Sequence, residues 1–224
     1  MRSDRARLAV AACLVVFGGC TAAQARPQLA PRGCEVSPGQ ALVNVRDLDR
    51  TIRVELRYAT ANNFTGARLP GYDARLALLH RGSAEALARV QRRLREQGFG
   101  LKVFDAYRPV RATLAMVAWA ERSGNVWVLD QGYVARQSGH NRGNTIDLTV
   151  VDLSRGRELD MGTPFDTFSE AAHTANATGE VMENRMVLKR AMEAEGFVNY
   201  EKEWWHYRLP ANDTPLDVPL SCFR

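Results

Sequence analysis

Apolar and polar positions fall into a small set of recognisable periods along the chain. Ile52, Val54 and Leu56 alternate with Arg53, Glu55 and Arg57, the period of two of a half-buried strand. Ser83 to Gln97 carries Leu87, Val90 and Leu94 at helical spacing, with Ser83 suited to the N-cap and Gly98 to the position after the last turn. Leu101 and Val103, extended to Asp105, predict a short strand. Pro109 suits the first turn of a second helix that runs to about Arg122 and ends at Gly124. From Thr145 to Leu153 a strand is expected with Ile146, Leu148 and Val150 on one face and Asp147 and Thr149 on the other. A third helix is predicted from Asn184 to Glu195, stopping at Gly196. Phe197–Tyr200 and Trp205–Leu209 then read as a hairpin. Helices lie apart from neighbouring short strands without a regular βαβ alternation. The expected class is therefore α+β, a mainly antiparallel sheet with flanking helices.

Length and composition narrow this reading. The 224 residues, 46% hydrophobic and 25% charged, suit one ordinary domain plus a tail. Such a domain buries a sufficient core by itself, so a bound metal would serve chemistry rather than rescue the fold. Residues 1–25 have the form of an export signal: Arg2, Arg5 and Arg7 precede an apolar run from Leu8 to Phe17. That run is too short to span a bilayer, which takes about 20 residues. Two processing sites compete. Phe17-Gly18-Gly19-Cys20 is similar to a lipobox, which would lipidate Cys20 and anchor the protein at a membrane. Ala23-Gln24-Ala25 would release a soluble protein beginning at Arg26. Either route leads to the periplasm. Residues 26–40, rich in Pro, Gly and polar groups, read as a linker into a domain spanning 41–224.

Loss of residues 1–25 removes Arg2, Arg5, Arg7 and Asp4, so the net charge falls from +5 to +3. A modest charge on a mixed surface argues against a nucleic-acid partner. The arginines at 89, 92, 93 and 95 read as a solvated helix face. Cys13 and Cys20 belong to the leader, which leaves Cys34 and Cys222 to pair in an oxidising compartment and staple the two ends.

The chemistry concentrates in two segments. His140 lies in a polar loop, Ser138-Gly139-His140-Asn141-Arg142-Gly143, and Asp147 on the polar face of the following strand. Glu203-Trp204-Trp205-His206 places a carboxylate three residues before a second histidine. Imidazole and carboxylate are both good zinc ligands, and a catalytic zinc keeps three protein ligands and one open position. Spacing alone leaves two readings open. In a regular strand positions i and i+3 face opposite ways, so Glu203 and His206 share a site only if a bulge or the strand entry re-aims one of them. Otherwise the histidines are ordinary hydrogen-bonding residues. His80 and His173 are read as non-ligands.

The segment from Ser138 to Asp147 resembles the S-x-H-x-x-G-x-x-x-D signature of the zinc D,D-peptidases, and Glu203-Trp204-Trp205-His206 resembles their E-x-W-H. The resemblance is closest to the VanX-type D-alanyl-D-alanine dipeptidases. It extends through Tyr58-Ala59-Thr60, Asn63-Phe64-Thr65-Gly66, Phe104-Asp105-Ala106-Tyr107-Arg108-Pro109, Met161-Gly162-Thr163-Pro164-Phe165-Asp166 and Gly196-Phe197-Val198-Asn199-Tyr200. It implies the zinc D,D-peptidase, or hedgehog-like, fold, one Zn2+ per chain held by His140, Asp147 and His206, and Glu203 as base. It also implies Arg108 as oxyanion stabiliser and a small D,D-dipeptide as substrate. Ser138 and Asp166 are candidates for gripping that substrate. The roles implied are cell-wall dipeptide turnover or glycopeptide resistance. The rivals are a D,D-carboxypeptidase or endopeptidase on peptidoglycan stems, and a non-catalytic binding module of the same fold.

Overall fold

The computed structural model describes Cys34, Val36, residues 41–211 and residues 214–223. The expected leader, with Cys20, and most of the expected linker lie outside the described residues. The strands are β1 (Leu42–Asn44), β2 (Arg53–Val54), β3 (Leu78–His80), β4 (Phe99–Asp105), β5 (Thr145–Asp152), β6 (Arg157–Glu158), β7 (Val198–Asn199) and β8 (His206–Arg208). The helices are α1 (Val45–Leu48), α2 (Arg81–Glu96), α3 (Val110–Arg122), α4 (Trp127–Asp130) and α5 (Gly179–Glu193). The main sheet runs β2-β4-β5-β8-β7, with β6 paired to β5, while β1 and β3 form a separate pair. Among the described residues, only β2 against β4 is parallel. The α+β architecture with a mainly antiparallel sheet is as expected.

Alternation along β5 organises the domain. Leu148 and Val150 sit opposite Val103 and Leu101 of β4, and Ile146 opposite Tyr207 of β8. Together they form a continuous apolar face, fully buried, on which α2 and α5 pack. Leu87, Val90 and Leu94 of α2 and Leu188 and Met192 of α5 supply the opposing layer. Each such side chain contributes about 1.5–3 kcal/mol on leaving water. Gln91 reaches from α2 into this layer, where its Oε1 accepts from Leu101 N–H at 2.7 Å. At the surface Arg89 and Arg93 of α2 both grip Glu195, at 2.5 and 2.7 Å, so part of the basic cluster ties α2 to the end of α5.

The other face of β5 is buried too, although it carries Asp147 and Thr149. A register shift between Val103 and Asp105 lets two steps on β4 match one on β5, so that Asp105 lies opposite Asp147. Strict alternation would have placed Asp105 with Val103 on the helix face; the bulge turns it to the polar one.

Several boundaries differ from the sequence reading. α2 starts at Arg81, with His80 rather than Ser83 as its N-cap, and Ser83 is buried inside the first turn. The cause is β3, whose last residue donates its N–H to Gly143 O and leads straight into the helix. α5 begins at Gly179, before the expected Asn184. Its start carries little local signal, since Thr178 makes no side-chain cap hydrogen bond and Gly179 is a weak helix former. The three-residue strands β1 and β3 are too short to show an alternation.

The C-terminal segment is a strap across the domain. Leu216 receives the Val110 N–H and donates to Asn141 O at 2.8 Å. The Tyr107 hydroxyl donates to Val218 O and accepts from Val218 N–H. Cys222 is disulfide-bonded to Cys34, with a Cα–Cα distance of 5.2 Å across a separation of 188 residues. The expected pairing is present. In the chain-entropy account so long a loop contributes up to about 5 kcal/mol.

Candidate active site

Five segments deliver the site: the stretch after β4 with Arg108, the turn with Ser138 and His140, β5 with Asp147, the loop with Asp166, and the entry of β8 with Glu203 and His206. After β4, Ala106–Pro109 runs beneath a single 3-10 turn, Gly139–Arg142. Ser138 caps that turn: its hydroxyl accepts from His140 N–H, and Asn141 Oδ1 accepts from Ser138 N–H. Gly143 closes the turn at φ +69, where a Cβ would meet Leu42 at 2.6 Å. Asn141 donates to Arg108 O and to Thr113 Oγ1 of α3. The loop that carries His140 is therefore a rigid turn tied to the Arg108 segment.

The doubtful pair, Glu203 and His206, is resolved at the strand entry. His206 N–H donates to Glu203 O at 3.2 Å, so the two residues span a tight turn rather than a regular strand. Both side chains then point the same way, with Glu203 Oε2 3.4 Å from His206 Nδ1. Pairing of β8 with β5 sets His206 directly opposite Asp147.

The donor atoms converge. Asp147 Oδ1 lies 3.3 Å from His140 Nε2 and 3.0 Å from His206 Nδ1, and the two ring nitrogens are 3.3 Å apart. Despite these approaches Asp147 Oδ1 is buried without a hydrogen-bond partner. Three ligand atoms at the corners of a tetrahedral ion with ~2 Å bonds would be about 3.3 Å apart. The residues thus fit a metal ion, and this His-Asp-His set is the one group among the described residues whose donor atoms lie close enough together to hold one. His140 turns Nδ1 to Ala106 O at 2.7 Å, which fixes the proton there and leaves Nε2 free for a metal.

Charge in the site follows from burial. Burial pushes the His206 imidazole below its usual range, against the pull of Asp147, and so favours the neutral ligand form. Burial also opposes ionisation of Asp147, but the imidazoles of His140 and His206 outweigh it and hold the carboxyl below the usual carboxylate range. Glu203 moves the other way. Burial, reinforced by the charges of Asp147 and Asp166, raises it well above the ordinary value. That is the direction a general base at neutral pH needs.

Arg108, Ser138, His140, Asp147, Asp166, Glu203 and His206 all line one cavity of about 280 Å³. The structure therefore brings together every residue singled out for metal binding, catalysis or substrate contact. His80 and His173 are not among the lining residues. Asp166 is the one described non-glycine residue with positive φ, at 63°. Its Oδ1 accepts from the Tyr58 hydroxyl at 2.9 Å, and its Oδ2 is buried without a partner. Burial pushes this carboxyl up to about 8 despite the Tyr58 hydrogen bond.

Asp105, which has no role in the sequence reading, holds the Arg108 guanidinium in place. Arg108 Nε and Nη2 both donate to Asp105 Oδ2, at 3.0 and 2.9 Å, and its guanidinium lies 4.9 Å over the Tyr58 ring. The i,i+3 spacing within Asp105-Ala106-Tyr107-Arg108 was the available signal. Tyr72 fixes the other carboxylate oxygen at 2.5 Å. Of the aromatic walls of the cavity, Tyr58, Phe64, Tyr200 and Trp205 lie in the segments that carry the resemblance, whereas Tyr133 and Phe168 come from separate segments and carry no spacing that would announce them.

A family model described as D-Ala-D-Ala dipeptidase, peptidase M15, matches residues 39–224. The chain is similar to a D-alanyl-D-alanine dipeptidase of Streptomyces coelicolor, 36% identical over 195 residues, covering 79% of this chain and 96% of that one. It is similar to a protein of the same description from Enterococcus faecalis, 36% identical over 76% of this chain and 93% of that one. A third, from Escherichia coli, is 35% identical over 81% of this chain and 92% of its own length.

Proposed function

Because the chain belongs to the D-Ala-D-Ala dipeptidase family of M15 peptidases, we propose that it hydrolyses D-alanyl-D-alanine to two D-alanines with one zinc ion held by His140, Asp147 and His206. The observation that carries this reading is the convergence of those three donors on a buried, unpartnered carboxylate oxygen, with Glu203 beside them. Two imidazoles and one carboxylate match a catalytic zinc set. When bound, such an ion acidifies a water and polarises the scissile carbonyl.

The chain's own groups do the rest. Glu203 accepts the proton of the attacking water and delivers it to the leaving nitrogen as the C–N bond breaks. Arg108, held by Asp105, stabilises the charge that develops on the carbonyl oxygen. The unpartnered Asp166 Oδ2 receives the substrate ammonium, whose positive charge draws the raised carboxyl back to its ionised form and makes the hydrogen bond charge-assisted. Ser138, whose oxygen accepts from His140 N–H, keeps its own proton to donate to the substrate carboxylate. A cavity of about 280 Å³ suits a dipeptide better than a peptidoglycan strand.

The same proposal places the enzyme in the periplasm, where it would act in cell-wall dipeptide turnover. The charged and apolar pattern of residues 1–25 and the Cys34–Cys222 disulfide support export to an oxidising compartment. Lipidation of Cys20 is the favoured processing route, and the mass of the mature protein from membranes distinguishes it from release after Ala25.

The test is zinc stoichiometry together with turnover of free D-Ala-D-Ala, an L,L-dipeptide and a pentapeptide stem. One zinc per chain and preference for D-Ala-D-Ala are expected, and His140→Ala should lose the metal. Equal kcat/KM on the stem peptide, or full zinc content in His140→Ala, would refute the reading.

A further inference from the structure

Asp166 sits in an irregular segment, Met161–His173, that contains only one short 3-10 turn, Glu170–Ala172. A single side chain closes both ends of this loop. Arg185 of α5 is 1% exposed, and its guanidinium is directed at backbone carbonyls. Nε and Nη2 donate to Met161 O at 2.9 and 2.7 Å, where the loop begins. Nη2 also donates to Ala171 O at 2.8 Å, and Nη1 to His173 O at 2.7 Å, where the loop ends. Within the loop, Phe165 stacks on Phe104 and meets Trp205 edge-on, Asp166 turns its carboxylate to the cavity, and Phe168 lines the wall.

Three further observations show how close the fit is. A Cβ on Gly162, at φ +80, would meet Val181 at 2.7 Å and Arg185 Nη2 at 3.4 Å, so the start of the loop lies against α5. At the other end Ala172 O accepts from Trp204 N–H, and Thr174 N–H donates to Glu201 O. The end of the loop is thereby fastened to the turn that carries Glu203.

We propose that Arg185 is a positioning residue that clasps the Met161–His173 loop and so sets the place of Asp166 in the cavity. The inference rests on the reading of Asp166 as the acceptor of the substrate ammonium. A planar guanidinium can serve three carbonyls from fixed directions at once; a lysine ammonium, one nitrogen on a flexible stem, cannot span them. With the clasp loosened, Asp166 would no longer be held where the ammonium arrives, and a misplacement of about 1 Å can cost up to about a hundredfold.

The test uses the zinc-loaded full chain as wild type, Arg185→Lys, Asp166→Asn and the double variant. Metal content, KM and kcat for D-Ala-D-Ala, and hydrogen exchange of residues 162–173 are measured. Arg185→Lys should keep its metal, raise KM about tenfold with kcat within about twofold, and speed exchange within the loop. In the Asp166→Asn background the same change should leave KM where Asp166→Asn has already put it. A KM rise of equal factor in both backgrounds, or loop exchange unchanged from wild type, overturns the clasp. If Asp166→Asn alone leaves KM unchanged, the ammonium reading falls, and with it the link from clasp to substrate. Should Arg185→Lys not fold, Gly162→Ala displaces the same neck and is expected to raise KM and loop exchange together; no change in either overturns the proposal.

Discussion

The two faces of β5 divide the work of the molecule. Ile146, Leu148 and Val150 face α2 and α5 and are closed over by apolar side chains. One residue out of phase, Asp147 and Thr149 are just as buried, yet each has a side-chain oxygen without a partner. Among the described residues, no buried side-chain nitrogen or oxygen on the helix face is left without a partner. On the site face the fold leaves polar groups unsatisfied, which costs stability and keeps them available for an ion, a water or a substrate. Burial therefore says little about role until the hydrogen bonds of the buried group are counted.

The largest effect should come from the site side. Glu203→Ala is expected to lower kcat about 10²–10⁴-fold while zinc content stays at the wild-type level. Near-wild-type turnover in steady-state assays would remove Glu203 as the base. Leu148→Ala should do the reverse, with a loss of about 2–5 kcal/mol in denaturant unfolding and metal and kcat retained below the transition. If that variant loses its metal while still folded, the two faces are not separable.

A smaller effect concerns pH. With the Asp166 carboxyl raised to about 8, the folded protein holds a proton that the unfolded chain releases above about 4. The folded state then binds more protons, so stability falls as pH rises from about 4 to about 8. Asp166→Asn should remove this part of the slope in urea titrations of the metal-free protein, and an unchanged slope would place the titration elsewhere. The smallest effect is expected at Thr149. Its hydroxyl is buried without a partner, so Thr149→Val should be neutral or stabilising by about 1 kcal/mol. A loss of more than about 1 kcal/mol on calorimetry would show that an ordered water or an ion satisfies it.

Much of this was legible in the chain. The alternation in Thr145–Leu153, the helical spacing of Leu87, Val90 and Leu94, and the glycines at 98, 124 and 196 report local periods, which depend on neighbours close in sequence. The site residues were legible too, because His140, Asp147, Glu203 and His206 lie in two compact segments of unusual content, matched by the further segments from Tyr58 to Tyr200. Their convergence was not. It depends on the register of β8 against β5, on the tight turn that points Glu203 and His206 the same way, and on the bulge that brings Asp105 to Arg108. Arg185 falls inside the third expected helix with no local signal of its own, because its three carbonyl partners come from residues 12 to 24 positions away. Periodicity and residue type thus determined which elements form and which chemistry is available. Pairing register, backbone irregularity and long-range hydrogen bonds decided where that chemistry meets, because each of them joins atoms that are distant along the chain.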